Sequence, residues 1–328
     1  SASDTLDGSL TVTSVSTVNT DAVGSYSVTY SVSDANGNAA EPVTRTVSVV
    51  DTTKPVITLL GSVTETVEAK GNYTDAGASA SDTLEGNLTD SVTSVSTVNT
   101  DAVGSYSVTY SVSDANGNAA ASVVRAVNVV DTTKPVITLL GSAAEIVEAK
   151  SIYTDAGVSA SDTLDGSLTV TTLNTVNTDA VGSYTVTYSV SDANGNAAVN
   201  VVRTVSVVDT TKPVITLLGS TTEIVEAKGT YTDAGAIASD ILDGSMSVTT
   251  VSTVNTDAVG SYTVTYSVSD ANGNAPSNVV RTVNVVDTTK PVITLVGNAT
   301  ETVEAKSTYT DAGASASDTL DGNLTGSV

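Results

Sequence analysis

Two short acidic motifs recur along the chain and carry the side chains best suited to chemistry. One is Asp-x-x-Asp/Glu-Gly, as at Asp82 and Glu85, and the other is Asp-x-Asn-Gly-Asn, as at Asp114, Asn116 and Asn118. Both present carboxylate and amide oxygens, and calcium takes about six to eight such ligands in irregular geometry. The chain has no His and no Cys, so any metal site must be built from oxygen.

With the Asp that begins each Asp-Thr-Thr-Lys-Pro segment, these motifs define candidate calcium sites. The candidate ligands are Asp51, Asp82, Glu85, Asp114, Asn116 and Asn118, then Asp131, Asp162, Asp165, Asp192 and Asn194, and finally Asp209, Asp240, Asp243, Asp270 and Asn272. A second interpretation needs no metal. Asn-Gly is the preferred dipeptide of a tight hairpin turn, and an Asp side chain often bonds its own backbone in a turn. Both interpretations stay open.

The composition excludes several classes of function. Without His and Cys there is no imidazole catalysis, no thiol nucleophile, no disulfide and no zinc site of the usual kind. The 328 residues include 12 Lys and Arg against 36 Asp and Glu, a net charge of −24. Such a chain lacks the clustered positive charge that nucleic acids and anionic membrane surfaces require. No apolar run is long enough to span a bilayer, so we expect no nucleic-acid partner and no membrane insertion in this segment.

Two further patterns imitate an active site. Glu65 and Glu68 have the residue types of a glycosidase acid pair, but the pair recurs in each repeat, and arrays of spacers are commoner than arrays of enzymes. Tyr106 and Tyr110 could form a sugar-binding platform. The chain has no Trp and no Phe, so Tyr is the only aromatic residue available to fill a core. We therefore predict core Tyr residues and no enzymatic activity.

The elements that position these motifs repeat every 78–80 residues, since Asp-Thr-Thr-Lys-Pro begins at Asp51, Asp131, Asp209 and Asp287. That period is too long for a solenoid repeat and fits one small domain per repeat. We predict three complete domains between two partial ones, with the bounds 1–50, 51–130, 131–208, 209–286 and 287–328.

Within one repeat the pattern predicts strands only. Residues 106–113 alternate Tyr and Val with Ser and Thr, which is typical of a half-buried strand. Residues 55–60 and 124–130 indicate further strands, and Gly-containing turns punctuate the sequence. We therefore predict an all-β chain of tandem immunoglobulin-like β-sandwiches, about seven strands each, stacked end to end as a rod.

End-to-end stacking would bring many acidic groups to each joint. In the predicted connectivity Glu68, Asp75 and Asp101 lie at the bottom of one domain and face the candidate ligands of the next. They repel one another unless a cation intervenes, or else they point outward and solvate an acidic surface. Arg125, which recurs on the last strand of each repeat, is expected to pair with a carboxylate at the sheet edge or to lie over a Tyr.

Assembled, the repeat reads Asp-x-x-x-Pro-x-Ile-x-Leu, Val-Glu, Tyr-x-Asp-x-Gly, Asp-x-x-Asp/Glu-Gly, Gly-x-Tyr-x-Val-x-Tyr, Asp-x-x-Gly-Asn and Arg-x-Val-x-Val. This order resembles the bacterial immunoglobulin-like domains found in tandem on surface and secreted proteins, and is more distantly similar to hyalin repeat modules. The resemblance covers the whole chain. It implies an immunoglobulin-like sandwich with an extracellular stalk or adhesin role and no catalytic activity.

The leading functional hypothesis is a structural stalk or spacer of a bacterial cell-surface or secreted adhesin-type protein, stiffened by calcium. The absence of Cys suits a chain that folds outside the cell without an oxidant, so we expect an extracellular or cell-surface location. One alternative is a subunit of a self-assembling extracellular fibre, and another is an adhesive module that binds a glycan or a partner. The expected partners are neighbouring repeats, copies of the same chain, and a cell-surface or glycan receptor.

Residues 1–50 lack the first strands of a sandwich, and residues 287–328 contain them. We expect each part to be completed outside itself. The completing segment would come from a longer array of which this chain is a window, or from a second copy by strand donation.

Overall fold

The computed structural model describes residues 1–327, and in this range the only helices are the single 3₁₀ turns Thr89–Ser91 and Thr325–Ser327. The all-β prediction is therefore confirmed. No helix in these residues has the length and hydrophobicity that crossing a bilayer requires. The chain divides into two compact units. The first comprises Ser1–Ile137, Ser159–Val170 and Ser189–Val199, and the second comprises Thr138–Val158, Thr171–Tyr188 and the chain from Asn200 onward. The repeat bounds given above stay predictions.

The strands recur with the period of the sequence. Residues 1–50 contain β1 (Ala2–Asp4), β2 (Gly8–Leu10), β3 (Thr13–Ser16), β4 (Gly24–Ser31) and β5 (Val43–Val49). Residues 51–130 contain β6 (Val56–Leu59), β7 (Thr64–Glu68), β8 (Ala78–Asp82), β9 (Gly86–Asn87), β10 (Thr93–Ser96), β11 (Gly104–Ser111) and β12 (Val123–Val130). Residues 131–208 contain β13 (Val136–Leu139), β14 (Ala144–Glu148), β15 (Val158–Asp162), β16 (Gly166–Ser167), β17 (Thr171–Asn174), β18 (Gly182–Ser189) and β19 (Val201–Val208). Residues 209–286 contain β20 (Val214–Leu217), β21 (Thr222–Glu226), β22 (Ala236–Asp240), β23 (Gly244–Met246), β24 (Thr249–Ser252), β25 (Gly260–Ser267) and β26 (Val279–Val286), and they are followed by β27 (Val292–Leu295), β28 (Ala314–Asp318) and β29 (Gly322–Asn323).

Each complete repeat is built from two sheets. In residues 51–130 the three-stranded sheet has the order β6-β8-β9 and the four-stranded sheet has the order β10-β11-β12-β7. All pairs are antiparallel except β7 with β12, which run parallel from Thr64 beside Ala126 to Glu68 beside Val130. The chain changes sheet between β6 and β7 at Gly61, whose φ of +82° favours Gly and where a Cβ would lie only 3.3 Å from that of Ala76. In the second unit, β20-β22-β23 and β21-β26-β25-β24 repeat this arrangement.

The core lies between the two sheets. Ile57 and Ala80 of the three-stranded sheet pack with Val108, Tyr110 and Val127 of the four-stranded sheet, and all five are buried. The alternation along β11 places its Tyr and Val side chains inward, as predicted, because successive strand residues point to opposite faces. In the second unit one cluster of buried core residues comprises Val264, Tyr266 and Val283.

The two terminal parts are half-sandwiches within the described residues. β5 pairs with β4 alone, whereas its counterpart β12 also pairs with β7. In the last part Ile293 is 66% exposed, against 8% for the equivalent Ile57. The faces that form the core of a complete repeat are therefore open at both ends of the described chain.

Candidate metal centre and inter-repeat joint

Three carboxylates meet at one end of the repeat 51–130. Asp51 lies in the segment before β6, Asp82 ends β8, and Asp114 begins the turn after β11. One oxygen from each lies within 4.8 Å of the others, and Asp82 and Asp114 are buried. Three negative charges at this separation repel one another. The group, called the acidic trio below, is chemically suited to a divalent cation with oxygen ligands.

Asp82 uses its two oxygens differently. Oδ1 accepts hydrogen bonds from the backbone N–H of Leu84 at 2.7 Å and of Glu85 at 3.4 Å. Oδ2 is buried and has no hydrogen-bond partner within residues 1–327, although the residue is only 8% exposed. A buried acceptor without a partner is costly. The turn interpretation therefore explains Oδ1, and Oδ2 remains available to a cation.

Asp114 is held by the turn that it begins. Its Oδ1 accepts from the backbone N–H of Asn118 at 2.7 Å, and its Oδ2 accepts from Asn118 Nδ2 at 2.8 Å. Burial raises the pKa of Asp114, but these bonds from Asn118 outweigh burial and leave the pKa below its ordinary value. Asn118 Nδ2 also donates to the backbone oxygen of Asp51 at 3.2 Å. Asn118 thus presents its amide nitrogen here, so the structure gives it a turn and linker role.

Glu85 and Asn116 join the two loops beside the trio. Glu85 Oε1 accepts from the backbone N–H of Ala115 at 2.9 Å and from Asn116 Nδ2 at 3.4 Å. Asn116 Nδ2 also donates to Asp51 Oδ2 at 3.3 Å. The amide group of Asn116 therefore lies between two carboxylates and reduces their repulsion.

Acidic trios also occur at the equivalent end of the following repeats, although not every trio uses the same three positions of the repeat. They are Asp131, Asp165 and Asp192; Asp209, Asp240 and Asp243; and Asp287, Asp318 and Asp321. Two predicted carboxylate ligands lie outside these trios: Asp162, whose Oδ1 accepts from the N–H of Leu164, and Asp270, whose Oδ1 accepts from the N–H of Asn272. Asn194 and Asn272 donate through Nδ2 to Asp131 and Asp209, each at 2.9 Å.

The fourth trio was not among the predicted sites, although Asp-Thr-Thr-Lys-Pro at Asp287 and Asp-x-x-Asp-Gly at Asp318 mark it. Burial and repulsion from Asp318 raise the pKa of Asp287. A buried Oδ2 without a hydrogen-bond partner among the described residues recurs at the residue equivalent to Asp82 in three other repeats, namely Asp162, Asp240 and Asp318.

Sequence reasoning missed a second site, at the joint between repeats. Glu68, the last residue of β7, accepts from the backbone N–H of Thr132 at 2.7 Å and of Thr133 at 3.1 Å, and from both hydroxyls at 2.9 Å. The linker after β12 is therefore fixed to the repeat that precedes it. Glu148 makes the same bonds with Thr210 and Thr211, and Glu226 makes them with Thr288 and Thr289. The bonds from Thr288 and Thr289 lower the pKa of Glu226 to about 2.

The predicted position of Asp75 at the bottom of the domain is wrong. Asp75 accepts from the Tyr110 hydroxyl at 2.5 Å and pairs with Arg125, which is fully buried. Asp101 pairs instead with Lys70 at 2.9 Å. Arg125 does pair with a carboxylate and does lie over a Tyr ring, 5.8 Å from its centroid, but it does so in the interior of the sandwich rather than at a sheet edge.

Comparison with known proteins agrees with this architecture. Four segments match the family described as "Bacterial surface protein, Ig-like domain", at residues 1–49, 57–129, 137–207 and 215–285. The chain belongs to this family. Bacterial surface Ig-like domains are not an enzyme family, and the family places such chains among bacterial surface proteins.

Relatives beyond the family are more distant. Hyalin from Strongylocentrotus purpuratus is 35% identical over 134 residues, which cover 38% of this chain and 11% of hyalin. The M60 catalytic domain with CBM51-1 and CBM51-2 from Clostridium perfringens ZmpB aligns at 18% identity and a TM-score of 0.21, over 86% of this chain and 36% of that chain. The lipoprotein BT2262 from Bacteroides thetaiotaomicron aligns at 13% identity and a TM-score of 0.22, over 69% of this chain and 99% of that chain. At such TM-scores the likeness supports no functional conclusion.

Proposed function

We propose that the chain is a structural spacer of a bacterial cell-surface or secreted adhesin-type protein, with joints that are fixed rather than flexible. The bonding of the linker carries this proposal. Glu68 of the preceding repeat binds the backbone of Thr132 and Thr133, and Asn196 of the following repeat donates to the backbone oxygen of Asp131 at 3.1 Å. Pro135 fixes a further backbone angle just before β13.

A flexible linker would not form such bonds to the neighbouring repeats. Flexible linkers are rich in Gly and Ser and leave their backbone to water. Here consecutive linker residues bond to residues of the repeats on both sides, which restrains the linker itself. A surface protein that must project a terminal function away from the cell benefits from this property.

The width of the inter-repeat distance distribution tests the spacer role. The chain lacks Cys, so spin labels can be attached at Val103→Cys and Val199→Cys, which are exposed and lie on either side of the linker. We expect a narrow distribution that broadens in Glu68→Ala and stays narrow in Asp90→Ala, an exposed acid away from the linker. A distribution already broad with Glu68 intact contradicts the spacer proposal.

Calcium is proposed to occupy the acidic trios and to stiffen the joints further. The buried Oδ2 of Asp82 supplies an unused ligand, and the linker residue Asp51 supplies a second. An ion at this position joins the linker to the loops of the repeat that follows it. Since the folded form alone brings the three carboxylates together, binding should raise the unfolding temperature.

Thermal unfolding in chelator and in calcium tests this part separately. Calcium at about 100 times its Kd contributes about 2.7 kcal/mol, which raises Tm by roughly 10–20 °C for domains of this size. The test variant is Asp51→Asn, Asp131→Asn, Asp209→Asn and Asp287→Asn, which changes all four trios. The control is Asp21→Asn, Asp101→Asn, Asp179→Asn and Asp257→Asn, which changes the charge equally at exposed sites. We expect the shift in the wild type and the control only. An unchanged Tm in the wild type contradicts the calcium proposal and leaves the joint proposal standing.

A further inference from the structure

One edge of each four-stranded sheet lacks the features that normally protect an exposed edge. β10 forms that edge in residues 51–130, all four of its residues are exposed, and no strand pairs with its outer side within residues 1–327. The surrounding segment, residues 92–98, has no charge and no Pro. The opposite edge, β7, carries Glu65 and Glu68, and β6 of the other sheet follows Lys54 and Pro55. Charges and Pro are among the features that normally protect an edge against pairing with another chain.

The backbone of this edge is ready to pair. Thr97 N–H donates to the Ser107 oxygen at 2.9 Å, so Thr97 bonds inward to the β11 side. Bonding direction alternates along an antiparallel strand. The N–H and C=O groups of Ser94 and Ser96 therefore point away from the sheet.

The sequence of the edge is symmetric about Val95. Residues 92–98 read Val-Thr-Ser-Val-Ser-Thr-Val, which is the same in both directions. When two such strands run antiparallel about a two-fold axis through Val95, every residue lies opposite its own type. Thr93 lies opposite Thr97 of the second copy, Ser94 lies opposite Ser96, and Val95 lies opposite Val95.

The bonding pattern has the same symmetry. Ser94 and Ser96, which point their backbone groups outward, become the hydrogen-bonded pairs. Val95 then occupies a non-hydrogen-bonded pair, where opposing Cα atoms approach to about 4.5 Å and side chains touch. Val95 lies beside Thr109 on the outer face and is 69% exposed, so this pairing would cover it.

The same edge occurs in the other repeats. Residues 12–18 have the identical sequence around Val15, and residues 170–176 and 248–254 are centred on Leu173 and Val251. The last two segments depart from symmetry at one pair each, Thr172 with Asn174 and Thr250 with Ser252. The central side chains are 60–70% exposed in all four repeats.

We propose that this edge is a self-association site, at which two copies of the chain join through antiparallel pairing of their β10-type strands. A two-fold contact requires the same surface on both partners, and a palindromic strand meets that requirement. Charge also favours a second copy at this place. Two chains of net charge −24 repel over most of their surfaces, and the repulsion is least where both present an uncharged strand. This lateral contact goes beyond the spacer role and does not depend on calcium.

Sedimentation of the 328-residue chain over a range of concentrations tests the proposal. The test variant combines Val15→Lys, Val95→Lys, Leu173→Lys and Val251→Lys, which places like charges opposite each other on the two-fold axis. The control combines Val56→Lys, Val136→Lys, Val214→Lys and Val292→Lys, whose side chains are 62–65% exposed on the other sheet. Both variants reduce the net negative charge equally, so general repulsion falls in both.

We expect self-association to weaken at least about tenfold in the edge variant and to persist in the control, because opposed like charges destabilise a strand pair. A wild-type chain that stays monomeric at millimolar concentration overturns the proposal, as does equal association in the two variants. Circular dichroism melting establishes that both variants fold.

Amide hydrogen exchange supplies a readout specific to the edge. The N–H groups of Ser94 and Ser96 should gain protection as the concentration rises, because they form the new bonds. The N–H of Thr97, already bonded within the sheet, should not change. Association without protection at Ser94 and Ser96 contradicts pairing at this edge.

Discussion

The buried Arg of each sandwich is the position where one substitution should cost the most stability. Arg125 is fully buried, donates to the backbone oxygens of Leu60, Ser62 and Gly77, and pairs with the carboxylate of Asp75. It therefore ties the end of β6, the start of β7 and the segment before β8 to β12. We consider the triple variant Arg125→Met, Arg203→Met and Arg281→Met, which changes all complete repeats together.

The expected loss of folding stability follows from the charged partner that the Arg→Met substitution leaves unpaired. Removing one partner of a buried ion pair costs about 3–5 kcal/mol, since the other charge stays buried without compensation. The Asp75 side chain is 27% exposed, so water can reach it, and the lower end of that range applies. At about 3 kcal/mol per repeat, and roughly 4–8 °C per kcal/mol for domains of this size, Tm should fall by about 12–24 °C.

The assay is thermal unfolding by circular dichroism, with Lys70→Met, Lys150→Met and Lys228→Met as the control. These Lys residues pair with exposed Asp residues at 2.9 Å, and such surface pairs contribute only about 0.2–1 kcal/mol. Both variants remove three positive charges. If the Arg variant loses no more stability than the Lys variant, the argument from burial is refuted.

Two further predictions concern pH. The pKa of Glu226 is lowered in the folded chain, so its bonds to the linker are complete above the ordinary Glu value of 4.5 and are lost as the pH falls towards about 2. The amides of Thr288 and Thr289 should therefore lose their protection against hydrogen exchange, relative to the intrinsic rate at each pH, before the sheets unfold. If these amides and the sheets lose protection at the same pH, this prediction is contradicted. Burial and the hydrogen bond to Asp raise the pKa of Tyr110, Tyr188 and Tyr266. Stability should therefore be complete below the ordinary Tyr value of 10.0 and fall as the pH rises above it, and the Tyr→Phe triple variant should flatten that dependence in a pH series of melting curves.

The fold could be predicted from the sequence because its signals are local. The alternation over residues 106–113 fixes which side chains of β11 face the core, and the repeated motifs show where each sandwich recurs. The partner of Asp75 could not be predicted in this way. Arg125 is 50 residues away along the chain, and only the packing of the two sheets brings the pair together.

The sequence indicates which loops form the candidate site, but it does not show how their side chains are oriented. The Asp motifs identify the loops that form the trios, because a turn keeps its own residues close together. The sequence does not show that Asn118 presents nitrogen, that Asp162 and Asp270 lie outside their trios, or that Glu68 binds the linker. Two of these contacts join segments that are far apart in sequence: Glu68 and Thr132 are separated by 64 residues, and Asn118 and Asp51 by 67.

The excess of acid over base explains why these carboxylates have such different surroundings. With 36 acidic and 12 basic residues, ion pairing can satisfy only a minority of the carboxylates. Asp75 forms an ion pair with the buried Arg125, and Glu68 accepts hydrogen bonds from neutral N–H and O–H groups of the linker. Asp82 has one buried oxygen without a hydrogen-bond partner in the part of the chain that the structure describes. The joint bonds use uncharged donors and so should withstand both salt and chelator, whereas any contribution of the proposed calcium to the trio should be lost in chelator. Acid should therefore loosen the Glu68 contact, and chelator should act on the trio alone, so the two contributions to a stiff joint can be measured independently.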